Sequence, residues 1–275
     1  MIESFTKPKP FLRWAGGKTW FLKELSKYIP ENGFNNYIEP FVGGGSVFFH
    51  LNPNTAFLSD LNSELTDTYN VLKEDVESLI LELMKYKNDM DFYYRIRQEK
   101  PKNSIKQAAK FIYLNQTSFN GIYRENLKGE YNVPFGYRKK DFLQPEILRA
   151  ANKALQSAII TSRDFQESID NIGEGDLVFI DPPYTVTHNN NGFIKYNAKL
   201  FDLDAQHRLS DFIDEVRNRG AYYILTNAAH SEIRNIFQKE NDPIIEISRA
   251  SLIGGKKAKR GLYEEYIITN VLQMD

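Results

Sequence analysis

Apolar residues recur at spacings of three and four through Asn62–Leu72, Val76–Lys87 and Ser104–Asn115, and this periodicity predicts three helices. On either side of that block the pattern changes. Short β-branched or aromatic runs at Tyr37-Ile38, Ala56–Ser59, Ser157–Thr161 and Asp176–Ile180 read as strands. They alternate with helical stretches: one through Ile29 that Pro30 ends, one from Pro145 to Leu155, one from Asp204 to Arg219 that stops at Gly220, and one near Ser231–Gln238. Later runs at Ala221–Thr226, Pro243–Arg249 and Leu262–Asn270 bring the count to about seven strands. The last two have no helix between them and are expected to form an antiparallel edge. The fold class is therefore α/β.

Helices without an intervening strand break this rhythm between 62 and 144, as an inserted domain would. Residues 1–61 and 145–275 then form one domain and 62–144 a second. The insertion closes on Thr117–Lys140, where two β-prone arms flank Asn126-Leu-Lys-Gly129, predicting a hairpin near 118–137 with Gly129 at positive φ. Residues 185–198 are polar and rich in Asn, a loop long enough to order on substrate binding.

Composition narrows the class. A hydrophobic content of 41% supports a real core, and no apolar run approaches the 18 residues of a membrane span. Met1–Pro10 lacks the apolar segment of a signal peptide, and the lack of cysteine fits a reducing, cytoplasmic setting. Cysteine is absent, which excludes disulfides, thiolate metal sites and a cysteine nucleophile; four scattered histidines give no metal signature. Net charge is −1, yet its distribution is uneven. Residues 1–23 carry five Lys/Arg against one Glu, residues 102–140 eight against two acids, and residues 249–260 five against none. Segregation on this scale gives either a positive face, the electrostatic footprint of phosphate binding, or solvated loops that never meet in space.

Candidate chemistry sits at the strand ends. Asp181-Pro182-Pro183-Tyr184 follows a buried-type strand, and two prolines forbid both a continuing ladder and a helix. The turn offers a carboxylate, the Pro182 carbonyl and an aromatic ring, which suit a planar base bearing an amino group. Tyr37–Phe49 reads as a strand, the glycine turn Gly43-Gly44-Gly45 and a helix start, and Asp60 ends the next strand where ribose hydroxyls are bound in such folds. Phe48 stands where a dinucleotide fingerprint has its third glycine, which disfavours NAD. Leu12 stands where a phosphate-binding P-loop ending in Gly17-Lys18-Thr19 needs glycine. A nucleoside-containing cofactor of another kind is the expectation.

The ordered set W-A-G-G-K, E-P-F-V-G-G-G-S, D-L-N and D-P-P-Y resembles the Dam-type (D12 class, alpha group) N6-adenine DNA methyltransferases across nearly the whole chain. The insertion resembles that family's target-recognition domain from Asn120 to Gly136. The resemblance implies a Rossmann-like sheet, S-adenosylmethionine as cofactor, and a flipped adenine in duplex DNA as methyl acceptor within GATC. It assigns Trp14, Lys18, Glu39, Phe41, Gly43, Gly45, Asp60, Asp164, Phe165 and Asp181 to the cofactor. Asp181, Pro182 and Tyr184 would be catalytic, with Phe201 as a further stacking aromatic. Arg13, Phe119, Asn120, Ile122, Arg124, Pro134 and Arg138 would meet DNA, although Tyr137-Arg138 reverses the order usual in the family. A restriction endonuclease of the same specificity is an implied partner. The alternatives are an amino-methyltransferase acting on cytosine N4, RNA or a protein glutamine, or a DNA-binding relative that has lost catalysis.

Overall fold

The structure is a computed structural model that describes residues 6–124, 126, 129–184, 201–250 and 262–272, with backbone alone at 249, 250, 262 and 263. The basic segment 251–260 and the Asn-rich segment 185–198 lie outside the described residues. Seven strands are hydrogen-bonded in the order β3-β2-β1-β4-β5-β7-β6. They are β1 (Tyr37–Glu39), β2 (Ala56–Asp60), β3 (Ala158–Ser162), β4 (Leu177–Ile180), β5 (Tyr222–Ala228), β6 (Ile244–Ala250) and β7 (Leu262–Thr269). This is the α/β sheet that the strand count predicted. Chain contacts divide the molecule into two compact units, Met1–Thr19 with Val42–Arg163 and Trp20–Phe41 with Asp164–Asp275.

In the first unit β2 and β3 pair in parallel, with Leu58 opposite Ile160. Around them pack α1 (Ser46–Leu51), α2 (Ser63–Glu74), α3 (Val76–Leu83), α4 (Met90–Gln98), α5 (Ser104–Thr117) and α6 (Pro145–Leu155). Each long helix begins where its sequence dictates. The side chains of Asn62, Asp75, Asp89 and Asn103 accept from backbone N–H groups of the first turns of α2, α3, α4 and α5, and Pro145 opens α6. Periodicity alone missed α4, whose signal is the Asn88-Asp89 cap rather than an apolar stripe. Its buried residues Tyr93 and Ile96 join Leu79, Leu83 and Tyr113 in the core.

The second unit holds β1, β4, β5, β7 and β6 with α7 (Leu203–Asn218) and α8 (Ser231–Phe237). β4 is buried along its whole length between parallel neighbours β1 and β5, which explains its uninterrupted apolar sequence. β6 and β7 are antiparallel as expected, but β7 lies inside the sheet between β5 and β6, leaving β6 at the edge. The burial of Ile267 and Ile268 is the physical reason: a strand apolar on both faces has to be covered on both. The stretch before Pro30 is two 3₁₀ segments, Phe21–Lys23 and Leu25–Tyr28, rather than one α-helix. Pro30 forces Ile29 into extended backbone, and a helix this short gains more from burying Phe21, Leu25 and Tyr28 than from ideal geometry.

Strand order reverses between β1 and β4, which are parallel neighbours. The carboxyl ends of two strands diverge at such a switch, opening a crevice where ligands bind in sheets of this kind. Glu39 closes β1 and Asp181 follows β4.

Candidate active site

Asp181 is half-buried, and its Oδ1 accepts a hydrogen bond from the Thr226 hydroxyl at 3.0 Å. Thr226 is fully buried on β5, the strand beside β4, and its hydroxyl also lies 3.5 Å from the Ile180 carbonyl. Pro182 is buried behind it. Tyr184, half-buried, donates its phenolic proton to Glu265 on β7 at 2.7 Å, and Glu265 is only 2% exposed. Glu39 is buried too and accepts from the Tyr37 phenol at 2.8 Å. Burial, with the Glu39 charge and that bond, pushes the Tyr37 phenol well above its usual range, so it stays a donor. Buried carboxylates are tolerated when such partners satisfy them.

The same unit contains Asp164 and Phe165. Asp164 caps the 3₁₀ segment Phe165–Asn171, accepting from Gln166 N at 3.0 Å, and Arg208 donates to the same oxygen at 2.8 Å. The Phe165 ring is buried, stacked on Phe41 at 5.3 Å and packed against Phe201 and Phe212. Phe201 is itself buried in this cluster, which gives it a packing role beside the half-buried Phe41. As the first helical residue, Phe165 has an N–H with no partner inside its helix.

In the other unit the glycine turn is built around Asp60. Gly43 N–H donates to one carboxylate oxygen at 3.0 Å and Asn62 N–H to the other at 3.0 Å, while Tyr69 donates to the Gly43 carbonyl at 3.0 Å. Burial raises the Asp60 carboxyl above its ordinary value, against the pull of these backbone donors. Gly43 has φ +46°, and a Cβ there would lie 2.7 Å from Trp14 Cδ1, so the indole can lie against the turn only because the residue is glycine. Trp14 also stacks on Tyr123 at 5.7 Å. Lys18 is buried, with Nζ donating to the Gly16 carbonyl at 2.9 Å.

That unit also carries the hairpin. Backbone bonds Asn132 N to Arg124 O, Asn126 N to Glu130 O and Gly129 N to Asn126 O close its outer part. Gly129 has the predicted positive φ, +72°. At its base, Phe119 N donates to Pro134 O and Gly136 N to Thr117 O, each at 2.8 Å, so the arms pair as bridges rather than as full strands. Glu125, Leu127 and Lys128 lie outside the described residues. Phe119, Asn120, Arg124 and Pro134 are exposed, Ile122 is half-buried, and Asn120 sits at φ +57°. Arg124 Nε donates to Asn132 at 2.8 Å, which holds its guanidinium in a fixed pose. Arg13 is fixed by Asn115, which accepts from its N–H at 2.8 Å and donates to its carbonyl at 2.7 Å. Arg13 and Arg138 line one cavity of about 220 Å³ with Lys9, Lys140 and Gln116. Among the described residues Arg13 Nη1 is buried with no hydrogen-bond partner, and burial together with the Arg138 charge lowers the Arg13 guanidinium from its ordinary value. Two cations held together with an unsatisfied donor suit an anion.

A family model for D12 class N6 adenine-specific DNA methyltransferases matches residues 14–251. The chain belongs to that family. Relatives extend the likeness to nearly full length. A type II methyltransferase, M.MjaIII, of Methanocaldococcus jannaschii is 34% identical over 94% of this chain and 98% of its own. M1.LlaDCHI, a type II methyltransferase of Lactococcus lactis subsp. cremoris, is 32% identical over 95% of each. The DNA adenine methylase of Escherichia coli K12 is 31% identical over 92% of this chain and 93% of its own. The chain is thus a D12 adenine-N6 DNA methyltransferase whose seven-stranded α/β sheet is Rossmann-like.

Within this D12 enzyme, motif reading found strand-end residues and missed their holders. Thr226, Glu265, Tyr37 and Asn115 sit inside apolar strands or a helix, and Glu265 lies beyond the matched 14–251. The available signals were faint: a Thr-Asn pair closing the β5 run and a Glu-Glu pair in an otherwise apolar β7.

Proposed function

We infer that this enzyme transfers the methyl group of S-adenosylmethionine to the exocyclic nitrogen of an adenine flipped out of duplex DNA, within GATC. The observation that carries the reading is Asp181, held by Thr226 at the carboxyl end of a buried parallel strand beside the sheet's switch point. An adenine inside a duplex cannot present its amino group to a recessed donor, and extruding it costs a few kcal/mol, on the order of one stacking and pairing step. Stacking on the Tyr184 ring would offset roughly 1–3 kcal/mol of that.

The adenine amino nitrogen is a poor nucleophile because its lone pair is delocalised into the ring. Asp181 and the Pro182 carbonyl, both acceptors, would take its two N–H groups and favour a pyramidal nitrogen with the lone pair free. The reaction is then an in-line displacement governed by positioning and charge, with no covalent enzyme intermediate.

The donor sets fit the cofactor. When bound, S-adenosylmethionine supplies an electrophilic methyl group on a sulfonium centre. In one unit Asp60, braced by two backbone N–H groups, presents a carboxylate suited to ribose hydroxyls, and Trp14 lies against Gly43 of the same turn, with Gly45 and Lys18 as further cofactor contacts on this reading. In the other, the Asp164 carboxylate and the Phe165 N–H match the amino donor and ring-nitrogen acceptor on an adenine edge, while Glu39 and Phe41 would face the rest of the cofactor. Phe119, Asn120, Ile122, Arg124 and Pro134 would read bases from a recognition domain spanning 62–144, with Arg124 suited to a guanine edge. Lys9, Arg13, Arg138 and Lys140 supply positive charge for the DNA backbone. A cytoplasmic location and a cognate restriction endonuclease fit this reading.

The test is direct. Purified protein with S-adenosylmethionine should protect GATC-containing DNA from a methylation-sensitive nuclease, and a nucleoside digest should contain N6-methyladenine. Asp181→Ala should abolish transfer while DNA binding persists. N4-methylcytosine in place of N6-methyladenine, or methyladenine at another sequence, would overturn the acceptor or the site respectively.

A further inference from the structure

Tyr184 stands on the turn that Pro182 and Pro183 make beyond β4, outside the strands of the sheet. Its hydroxyl is nevertheless anchored. Glu265 accepts that hydrogen bond at 2.7 Å, the usual length of a well-formed O–H···O bond. Glu265 belongs to β7, where it faces Ala228 of β5 on one side and Ile247 of β6 on the other. Strand pairing on both sides makes its Cα among the most fixed points in this unit. A phenol held at its Cβ by the turn and at its oxygen by such a point has its ring axis set in advance, and because a phenolic O–H prefers to lie in the ring plane, the direction of its hydrogen bond restrains rotation about that axis.

We propose that Glu265 is a positioning residue: through the Tyr184 hydroxyl it fixes the orientation of the ring against which the target adenine stacks. The proposal rests on the reading of Tyr184 given above and extends it to a strand that lies beyond the residues matched by the family model. It explains why a carboxylate is buried on a strand whose neighbours Tyr266, Ile267 and Ile268 are core. It also gives the phenolic oxygen of Tyr184 a task that a phenylalanine cannot perform.

A double-mutant cycle with full-length protein tests it, using Tyr184→Phe, Glu265→Leu and the pair, with Glu265→Gln as the variant that keeps an acceptor. Readouts are kcat, KM for DNA, cofactor affinity, melting temperature, and fluorescence of 2-aminopurine placed at the target adenine. Each single change should lower kcat roughly tenfold and brighten the 2-aminopurine, because a loosened ring quenches it less, with cofactor affinity within about twofold. In the Tyr184→Phe background, Glu265→Leu should lower kcat by less than about twofold more, and Glu265→Gln alone should recover most of the rate. Losses that multiply in the double variant would overturn the proposal, as would a Glu265→Leu enzyme that melts earlier but turns over normally. Should Glu265→Leu fail to fold, Tyr184→Phe decides: wild-type kcat and wild-type fluorescence would refute the tether. A wild-type enzyme that puts no methyl on adenine N6 would instead refute the function itself.

Discussion

Replacing Gly136 with alanine isolates the base of the hairpin that carries Phe119 and Arg124. Gly136 lies outside the left-handed region, so alanine suits its backbone, and only space forbids the change. A Cβ there would lie 2.4 Å from the Ser118 carbonyl oxygen, 2.6 Å from its carbon and 2.9 Å from Phe119 N, whereas ordinary contact begins at 3.4 Å. All three obstacles are backbone, and no side chain can swing away. The two arms must part by about 1 Å at this point, enough to break hydrogen bonds that now measure 2.8 Å at Gly136 N and Phe119 N. Losing two such bonds costs about 2 kcal/mol, and residual overpacking adds about 1 kcal/mol or more.

Gly136→Ala should therefore destabilise the first unit by about 3 kcal/mol, read from the urea midpoint at unchanged slope. Because Phe119 and Asn120 leave the same bridge, DNA affinity should fall with it, while cofactor affinity measured by calorimetry stays near wild type. Gly129→Ala is the control. Gly129 has φ +72° and, among the described residues, no atom within 4 Å of the point a Cβ would occupy, so the change should cost only the left-handed strain of about 1–2 kcal/mol. Unchanged stability in Gly136→Ala, or a larger loss in Gly129→Ala, would refute the steric argument.

Two further predictions concern charge. Asp60 has a folded pKa raised by burial, so its contribution to stability is full below the unfolded value of about 3.9 and is lost as pH rises through the raised value. Over that window wild type should lose melting temperature relative to Asp60→Asn while its cofactor affinity increases, because the proposed ribose acceptor is the ionised carboxylate; parallel melting curves for the two proteins would contradict this. Arg138→Ala should reduce the dependence of log DNA affinity on log salt by about 0.9, the value for one phosphate on duplex DNA, and should return the Arg13 guanidinium toward its ordinary pKa. An unaltered salt slope would remove Arg138 from the backbone contacts.

The strand ends were legible because chemistry there changes residue type abruptly. Asp181 interrupts an apolar run, prolines follow, and Asp60 closes another run, so both stand out without a structure. The three helices at 62–72, 76–87 and 104–115 were legible from apolar spacing alone, and the structure adds the caps Asn62, Asp75 and Asn103 that start them. The placement of β7 was less visible: two sequential strands without a helix imply antiparallel pairing, but only burial on both faces of Ile267 and Ile268 puts the later strand inside. The hairpin's glycine was readable from its turn, whereas its pairing as bridges depends on Gly136 and Ser118 meeting across eighteen residues. The basic segments were readable as composition. That Arg13 and Arg138 share one cavity, 125 positions apart in sequence, was not.

The residues that hold the motif were invisible for a stricter reason. Thr226 and Glu265 lie in strands whose sequence signal is their apolar neighbours, and one polar residue in such a run reads as an imperfection. Energetically it is the reverse. A hydroxyl or carboxylate buried without a partner costs on the order of 1–3 kcal/mol or more, so each must be matched to a group delivered by another element. Thr226 is matched to Asp181, Glu265 to Tyr184, and Glu39 to Tyr37 on its own strand. The three pairs lie in one unit, on strands or strand ends around β4 and β5, and each joins a buried polar side chain to a second polar group at 2.7 to 3.0 Å. A sheet interior is the stiffest surface available to a strand-end motif. Polar residues placed there convert the rigidity of the ladder into fixed directions for Asp181 and Tyr184, which a Pro-Pro turn alone does not supply.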